Sequence, residues 1–554
     1  MIRRVPGLGS VPGLGSVPGS TPRPEPGRRL ALLVAALVVA TFALSASGVA
    51  AQPADAGGRA RGAPVVRTDS GLVRGVAAPR ADRFLGLPYA APPVRELRFA
   101  PPAAPASWQG IQTADRQSPA CLQFEPTGVR EEQALSEDCL YLDVYRPAGV
   151  SKKAKVKAKL PVMVWFHGGG STQGTGVIYG GSTMAAKTGV IVVSVNYRLG
   201  ALGFLAHPAL SAVTPGGSGN YGRMDQLASL EWVRANIARF GGDADNVTIY
   251  GQSAGGSSVC DLMAMPSAKG LFHRAIVQSS VCTADRTTLA AGESSGVAYA
   301  KAVGCTDAAR AVTCLRKAWP GTLIAHQGEY AGGSKTGGGL LPKPFARAFA
   351  DGTWNKVPLM TGNTRSENRL TSTALAGVTA QGYADWVRDT YGERADRVLE
   401  LYPSSGFNSP WDALTQVQTD AQRACPNQRA AQVMSARTAV YRYEFDDPTS
   451  PTLYGFRVPG EDMSNAHSAE LAYLFDFTLG ERPLTAQQKR LSDQMMGYWG
   501  AFAHSGDPND RKAPNWPVHK GDFPVMQLRT GGASAVITSY AADHHCDFWD
   551  GLDS

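Results

Sequence analysis

The sequence has neither the cysteine spacing of a zinc site nor the charge excess of a nucleic-acid-binding protein. Its eight cysteines include no Cys-x-x-Cys pair, and its nine histidines are scattered along the chain, so no compact zinc-ligand spacing is present. The first 51 residues hold five arginines and one glutamate, which leaves 49 basic and 45 acidic residues in the remainder. This near balance argues against a nucleic-acid partner. We expect no metal and no cofactor.

An apolar stretch near the start of the chain predicts export. Residues 30–50 follow Arg28 and Arg29 and lead into small residues at Ala50 and Ala51. A positive end, a short apolar run and small residues before a cleavage point are typical of a signal peptide. A membrane anchor is disfavoured because the strongly apolar part is short, and the arginine pair matches a twin-arginine signal poorly. We expect a leader over 1–51, disorder over 52–62 and a secreted protein without a stable membrane anchor.

The most informative stretch is residues 247–256, VTIYGQSAGG, in which a β-branched and aromatic run breaks at Gly251 into a turn with Ser253 at its apex. A strand that ends in G-x-S-x-G predicts a nucleophile elbow, which projects the serine hydroxyl into a cleft. The small residues Ala254 and Gly255 would let the backbone and a following helix approach it. A Gly- and Ser-rich surface turn is the alternative.

A second glycine-rich turn could supply the donors that a serine nucleophile needs. The apolar run 160–166 has the length of a buried strand and leads directly into HGGG at 167–170. Successive glycines let backbone N–H groups approach a substrate closely, so the amides of Gly169, Gly170 and Ala254 are the predicted oxyanion hole. The alternative is a flexible hinge between strand and loop.

The middle of the chain alternates strands and helices. Residues 189–195 are almost continuous valine and isoleucine, which predicts a strand buried on both faces of a parallel sheet. Residues 225–240 carry apolar side chains at helical spacing, which predicts an amphipathic helix. Segments 283–350 and 371–435 interrupt the strand pattern, so we expect insertions over the edge of the sheet where ligands bind. The lysine-rich run 152–159 lies between two predicted strands and is interpreted as a solvated hairpin loop.

These motifs and others resemble the type-B carboxylesterases, an α/β-hydrolase family that also holds cholinesterases and several lipases. The further matching segments are FLGLPYA at 84–90, SEDCLYL at 136–142, NYR at 196–198, NYG at 220–222, FGGD at 240–243 and GDPN at 506–509. The resemblance covers roughly residues 63–550 and implies a single catalytic domain there. The fold that it implies is a mostly parallel central sheet, flanked by helices and covered by helical insertions at the active-site edge.

The resemblance also implies the remaining catalytic residues. Glu367, in a loop after a predicted strand at 358–363, matches the family's catalytic glutamate, although from the residues alone it could be a solvated loop carboxylate. Seven histidines follow Ser253, and His467 lies in the segment that matches the family's catalytic histidine. The expected roles are Ser253 as nucleophile, His467 as general base and Glu367 as the acid that orients it. Glu470 is expected to support this group.

Eight cysteines in an exported protein predict a disulfide framework, but sequence alone leaves 105 pairings open. The resemblance implies three bridges and leaves one further pair. The bridges are Cys121–Cys139, Cys305–Cys314 and Cys425–Cys546, and the remaining pair is Cys260 with Cys282.

Two departures from the family narrow the expected substrate. Gln252 stands where many relatives carry glutamate, which removes a negative charge from the acyl pocket. The short loop 122–138 has no tryptophan for a quaternary ammonium and little apolar surface for a lipase lid. The middle of this loop carries four charged residues, Glu125, Arg130, Glu131 and Glu132. We expect a monomeric hydrolase of small to medium soluble esters, with a lipase or a catalytically silent binding protein as the alternatives.

Overall fold

The computed structural model describes residues 62–124, 133–150, 159–328, 333–452, 456–476, 483–510 and 513–551. The predicted leader at 1–51 and the predicted disordered stretch, apart from Gly62, lie outside the described residues. The same holds for residues 125–132, which carry the four charged residues that were used to argue against a lipase lid. It also holds for residues 151–158 of the lysine-rich run.

The strands and helices of the described residues are as follows. The strands are β1 (Val65–Arg67), β2 (Leu72–Arg74), β3 (Ala81–Pro88), β4 (Ile111–Thr113), β5 (Ala120–Cys121), β6 (Leu135–Ser136), β7 (Tyr141–Pro147), β8 (Leu160–Phe166), β9 (Ile191–Val195), β10 (Gly242–Gln252), β11 (Arg274–Gln278), β12 (Thr287–Thr288), β13 (Lys335–Thr336), β14 (Leu359–Thr364), β15 (Val440–Phe445), β16 (Val525–Leu528) and β17 (Ala535–Ile537). The α-helices are α1 (Ser182–Thr188), α2 (Gly200–Phe204), α3 (Pro208–Ser211), α4 (Tyr221–Asn236), α5 (Ala254–Ala264), α6 (Leu289–Ala302), α7 (Ala311–Lys317), α8 (Pro320–Ala325), α9 (Phe345–Asp351), α10 (Asn368–Thr371), α11 (Ala380–Tyr391), α12 (Ala395–Leu401), α13 (Pro410–Thr419), α14 (Cys425–Ser435), α15 (Ala486–Ser505), α16 (Tyr540–Asp543) and α17 (Cys546–Asp550). The 3-10 helices are Arg95–Leu97, Ile237–Phe240, Pro266–Ala268, Ala308–Arg310, Thr373–Leu375, Gly392–Arg394, Ser404–Gly406 and Ala469–Tyr473.

A ten-stranded mixed sheet forms the centre of the fold. Its strand order is β17-β16-β15-β14-β11-β10-β8-β9-β7-β3. Every neighbouring pair from β16 to β9 is parallel, and antiparallel pairs occur only towards the two edges. This arrangement confirms the expected fold class, a mostly parallel α/β sheet.

Both faces of the sheet are covered by apolar layers, which explains the nearly unbroken apolar sequences of its central strands. Along β8, Val162 and Val164 belong to one apolar cluster, and Met163 and Trp165 belong to the other. Helices α4 and α5 contribute to the first cluster and α15 contributes to the second. Burying each such side chain contributes about 1.5–3 kcal/mol, so the strands that carry the candidate site rest on a rigid double-sided core.

The local predictions hold with small shifts, and one is wrong. The strand predicted at 189–195 is β9, and the helix predicted at 225–240 begins earlier as α4 and ends in the 3-10 turn Ile237–Phe240. The lysine-rich run was expected to form a hairpin between the strands that are β7 and β8. Because β9 lies between those two strands in the sheet, their connection is not a hairpin.

The two predicted insertions are helical. Segment 283–350 contains α6 to α9, and segment 371–435 contains α11 to α14. Helices α13 and α14 are joined without a gap by a π turn at Asp420–Ala424. None of the helices among the described residues is long and apolar enough to cross a membrane.

Four disulfide bonds join all eight cysteines. They are Cys121–Cys139, Cys260–Cys282, Cys305–Cys314 and Cys425–Cys546, with Cα–Cα distances of 5.0, 5.1, 5.6 and 5.1 Å. The first, third and fourth are the pairs that the family resemblance implied, and the second is the pair that remained. The last bond connects residues 121 positions apart and contributes about 4–5 kcal/mol in the chain-entropy description.

Candidate active site

The candidate nucleophile lies on a strained turn between β10 and α5. Ser253 has φ 57° and ψ −123°, and α5 begins at the next residue. A positive φ at a residue with a side chain costs free energy and persists only where the surroundings enforce it. Here the Ser253 N–H donates to the carbonyl oxygen of Gln278 at 2.9 Å, which ties the turn to the end of β11.

The elbow fits only because Gly255, in the first turn of α5, has no side chain where the helix passes β8. A Cβ atom placed on Gly255 would lie 1.9 Å from the carbonyl oxygen of Phe166. Any side chain there would push α5 away from β8 and would move Ser253 with it. The small residues around the serine therefore have the steric role that the sequence predicted.

The predicted oxyanion loop follows β8 and lies against the nucleophile. A Cβ atom on Gly168 would be 3.2 Å from Cβ of Ser253. His167 stacks on Tyr197 with ring centroids 4.5 Å apart, and the Tyr197 hydroxyl donates to the His167 carbonyl at 2.7 Å. Burial lowers the pKa of His167 to about 4, so this ring is a neutral support for the loop.

Three backbone amides in this region are left without a protein partner. Among the residues that the structure describes, the N–H groups of Gly169, Gly170 and Ala254 make no hydrogen bond to a protein acceptor. An amide at the first position of a helix has no partner within that helix. Unpaired amides beside a nucleophile are the donors that an oxyanion requires.

A glutamate–histidine pair lies on the other side of the elbow. Glu367 follows β14, is 1% exposed, and receives a hydrogen bond at Oε1 from the Thr364 N–H at 2.9 Å. Its Oε2 accepts from Nδ1 of His467. Burial raises the pKa of the Glu367 carboxyl, but the charge and hydrogen bond of His467 outweigh burial and hold that pKa below its usual value. With Nδ1 as donor, Nε2 of His467 is unprotonated and carries the lone pair that a general base uses.

Gln252 makes a contact that the sequence did not predict. Its Nε2 lies 3.2 Å from Nε2 of His467, and its side chain is 1% exposed. Within the described residues, no hydrogen bond joins Ser253 Oγ to His467. The amide of Gln252 thus occupies the imidazole lone pair that a general base would use, and catalytic hydrogen bonds often tighten only when substrate is bound.

Glu470 lies behind the pair, where it was expected to support it. Its Oε1 accepts from Gln278 Nε2 at 3.2 Å, and its Oε2 is buried without a partner. Burial, assisted by the negative charge of Glu367, raises the pKa of Glu470 to about 8. Glu470 therefore holds a proton at neutral pH and does not compete with Glu367 for the histidine.

A second histidine–carboxylate group was missed at the sequence level. His544 is fully buried, with Nδ1 2.5 Å from Asp420 Oδ1 and Nε2 2.8 Å from Glu444 Oε1. No local pattern marks it, because its partners lie 124 and 100 residues away. Among the described residues, no group of three or more His, Cys, Asp or Glu side chains is arranged to hold a metal ion.

Comparison with known proteins identifies the family. Residues 62–549 match the model of the carboxylesterase family. A fumonisin B1 esterase of Sphingopyxis macrogoltabida is 34% identical over 508 residues, which cover 86% of this chain and 88% of that protein. A para-nitrobenzyl esterase of Bacillus subtilis is 34% identical over 482 residues, with coverage of 82% and 92%.

Solved structures agree with this result. A thermophilic PNB esterase superposes with a TM-score of 0.73 and 29% sequence identity, covering 87% of this chain and 99% of that structure. Another PNB esterase superposes with a TM-score of 0.72 and 30% identity. The chain therefore belongs to the carboxylesterase family, and it is an ester-hydrolysing enzyme.

Proposed function

We propose that the protein is a secreted serine carboxylesterase that hydrolyses small to medium soluble esters through an acyl-enzyme on Ser253. The observation that carries the proposal is the position of the buried Glu367–His467 pair. Its free imidazole nitrogen lies against Gln252, the residue that precedes the nucleophile, and unpaired backbone amides flank the same serine.

In the first half-reaction, Ser253 Oγ attacks the ester carbonyl carbon and transfers its proton to Nε2 of His467. The bond to the alcohol breaks as His467 returns this proton to the departing oxygen. The carboxylate of Glu367 stabilises the imidazolium that forms between the two transfers. The Gln252 amide must release Nε2 before the serine can donate to it, so substrate binding includes a small side-chain movement at Gln252.

In the second half-reaction, water takes the place of the alcohol. His467 removes a proton from water, the resulting hydroxide attacks the acyl carbon, and the proton returns to Ser253 as the acyl–oxygen bond breaks. In both halves the negative charge on the carbonyl oxygen is stabilised by the amides of Gly169, Gly170 and Ala254. Losing one such donor typically costs about 3 kcal/mol of barrier.

Secretion is part of the proposal and rests on two observations. The apolar stretch at 30–50 has the organisation of a signal peptide. Four disulfide bonds, with all eight cysteines paired, are typical of proteins that fold in oxidising compartments. N-terminal sequencing of the protein recovered from the culture medium tests this part, and a start near residue 52 is expected.

The nucleophile is tested by a fluorophosphonate probe, which reacts with activated serines. We expect a single adduct on the peptide that carries Ser253, and no adduct in Ser253→Ala. Folded protein that stays unlabelled at Ser253 would contradict the proposal and would favour a binding protein on this fold.

The preference for dissolved esters is tested separately with tributyrin. The initial rate should saturate below the solubility limit of the substrate and show no jump when droplets form. A steep rise only with droplets, together with a preference for long-chain triglycerides, would identify a lipase instead.

A further inference from the structure

A cavity lined by arginines lies beside the candidate nucleophile and is not used by the mechanism above. Its volume is about 370 Å³, and its walls come from α5, the loop after β11 and the π turn at Asp420–Ala424 with the start of α14. Three of its lining residues are Arg286, Arg423 and Arg429, and none of the described residues that line it carries a carboxylate. The cavity is therefore built for negative charge.

Hydrogen bonds fix the cavity close to the reacting serine. Ser257, one helical turn after Ser253, lines the cavity, and its N–H donates to the Ser253 carbonyl at 2.9 Å. Its hydroxyl lies 2.8 Å from that of Ser280, another lining residue. The wall of the cavity therefore begins one helical turn from the nucleophile.

The wall that carries Arg423 is held against the catalytic acid. Asn368, the residue after Glu367, donates from Nδ2 to Oε1 of Gln422 at 3.2 Å. The positive charge of Arg423 is one of the influences that lower the pKa of the Glu367 carboxyl, after burial, which raises it, and the interactions with His467. Arg423 therefore acts electrostatically on the carboxyl of Glu367.

The positive charge in the cavity is only partly neutralised. Arg286 Nε lies 3.2 Å from Asp261 Oδ1, but the same carboxylate also pairs with Arg223 at 2.6 Å. Nη2 of Arg286 is buried and has no hydrogen-bond partner. Arg429 pairs with Asp550.

Arg423 differs from the other two arginines of the cavity. Within the described part of the chain, no carboxylate lies within ion-pair distance of its guanidinium. A guanidinium that faces a cavity without a paired carboxylate offers donors for a bidentate contact with a carboxylate.

We propose that this cavity binds a carboxylate of the substrate, so that the preferred substrates are esters whose acyl or alcohol part carries a second, unesterified carboxylate. This inference rests on the proposed function, because it takes Ser253 as the nucleophile. A charge-assisted contact from Arg423, completed by the unpaired donor of Arg286, would favour the anionic ester over a neutral ester of the same shape by roughly ten- to hundredfold in kcat/KM.

The test compares matched substrate pairs in matched variants. p-Nitrophenyl hydrogen adipate against p-nitrophenyl hexanoate examines the acyl side, and 4-acetoxybenzoate against its methyl ester examines the alcohol side. The ratio of kcat/KM, anionic over neutral, is measured in the wild type, in Arg423→Gln, in Arg423→Lys and in Arg397→Gln. Arg397 serves as control because it lies on α12, its side chain is 54% exposed, and it pairs with its neighbour Glu400 on the same helix.

The expected outcome is a large ratio for one of the two pairs. Arg423→Gln should lower this ratio at least tenfold relative to the wild type, Arg423→Lys should retain part of it, and Arg397→Gln should leave it unchanged. Added salt should reduce the wild-type ratio, because ions screen the attraction. Ratios that are equal in wild type and Arg423→Gln for both pairs would overturn the proposal.

A binding measurement separates failure of this inference from failure of the proposed function. Adipate should raise the Tm of folded Ser253→Ala protein, and Ser253→Ala/Arg423→Gln should lose this shift. If neutral esters are not hydrolysed at all, the esterase mechanism fails while the adipate shift still supports the carboxylate site. Absence of the shift in Ser253→Ala overturns the carboxylate site even when neutral esters are hydrolysed.

Discussion

Two histidines in this protein share one kind of hydrogen-bond partner and differ in the other. Nδ1 of His467 binds Glu367, and Nδ1 of His544 binds Asp420. In both cases a buried carboxylate fixes the ring orientation. What differs is the partner of Nε2, and this difference separates a ring that can exchange protons from one that cannot.

His544 is held by carboxylates on both sides. Its Nε2 contacts Glu444, whereas Nε2 of His467 meets only the neutral amide of Gln252. Although burial lowers the pKa of His544, the charge of Asp420 and the hydrogen bonds of both carboxylates raise it well above the ordinary value. His544 is thus a fixed cation, while His467 keeps one nitrogen available for a reacting proton.

The largest expected effect comes from removing the proposed general base or the proposed nucleophile. His467→Gln and Ser253→Ala should each lower kcat/KM for a short p-nitrophenyl ester by about 10⁴-fold or more, because the members of such a group act as a unit. Circular dichroism checks that the fold is kept. His504→Gln is the matched control, since His504 is exposed and its ring binds the Thr188 carbonyl, away from the proposed catalytic group. Near-normal activity in His467→Gln would assign the base to another residue.

Removing the fixed histidine should instead affect stability. His544→Gln should lose about 3–5 kcal/mol of unfolding free energy, because, among the described residues, buried Asp420 would lose its charged partner and Glu444 would keep only Arg365. Since the folded-state pKa of His544 is raised, its stabilisation is fully present below pH 6.5 and is lost only as the pH rises through that raised value. Denaturant unfolding at pH 7 measures the loss, with exposed His326→Gln as control. A loss below 1 kcal/mol would show that the cluster does not need its cation.

Glu470 tests whether a second carboxyl, beside the Glu367–His467 pair, must stay protonated. Its folded-state pKa of about 8 lies above the ordinary value, so its proton stabilises the fold at low pH, and this stabilisation falls from about pH 4.5 to pH 8. The amide side chain of the variant Glu470→Gln cannot titrate, so the Tm of this variant relative to wild type should rise across this pH range. The corresponding difference in unfolding free energy is at most a few kcal/mol. Exposed Glu393→Gln should show no such trend. If Tm against pH runs parallel in Glu470→Gln and the wild type, the raised pKa of Glu470 is contradicted.

The smallest expected effect concerns the neutral partner of His467. Gln252→Glu would place a carboxylate against Nε2 and stabilise the protonated ring. The acid limb of kcat/KM against pH should then move to higher pH by about one unit, roughly 1.4 kcal/mol. Gln381→Glu, which adds the same charge at an exposed position, serves as control. An unchanged acid limb would mean that this side chain does not contact the ring during catalysis.

Features encoded in one stretch of sequence were predictable, and long-range contacts were not. The elbow at Ser253 and the strand β8 follow from local glycine placement and apolar runs, so the residues alone predicted them. Glu367 and His467 needed the family resemblance, since each resembles an ordinary loop residue and they meet only across 100 positions. The hairpin expected at the lysine-rich run failed because strand order in a sheet is not a local property.

The contact between Gln252 and His467 had no sequence signal for the same reason. In the sequence, Gln252 stood out only because it replaces a glutamate and so removes a negative charge. Its partner His467 lies 215 residues away. Arg423 was equally hidden, because an arginine in a helical segment is ordinary until the fold places it on the wall of a cavity. Such assignments depend on which helices pack together.

The π turn at Asp420–Ala424 sets the spacing of two different connections to the end of the chain. Asp420 meets His544, and Cys425, five residues later, is bonded to Cys546, only two residues after that histidine. A π turn holds more residues per turn than an α-helix, and one residue of an α-helix corresponds to a rotation of about 100°. Deleting a single residue here would rotate Asp420 by that angle relative to Cys425. The ion pair and the disulfide could then not form together, so this segment tolerates substitution far better than any change in length.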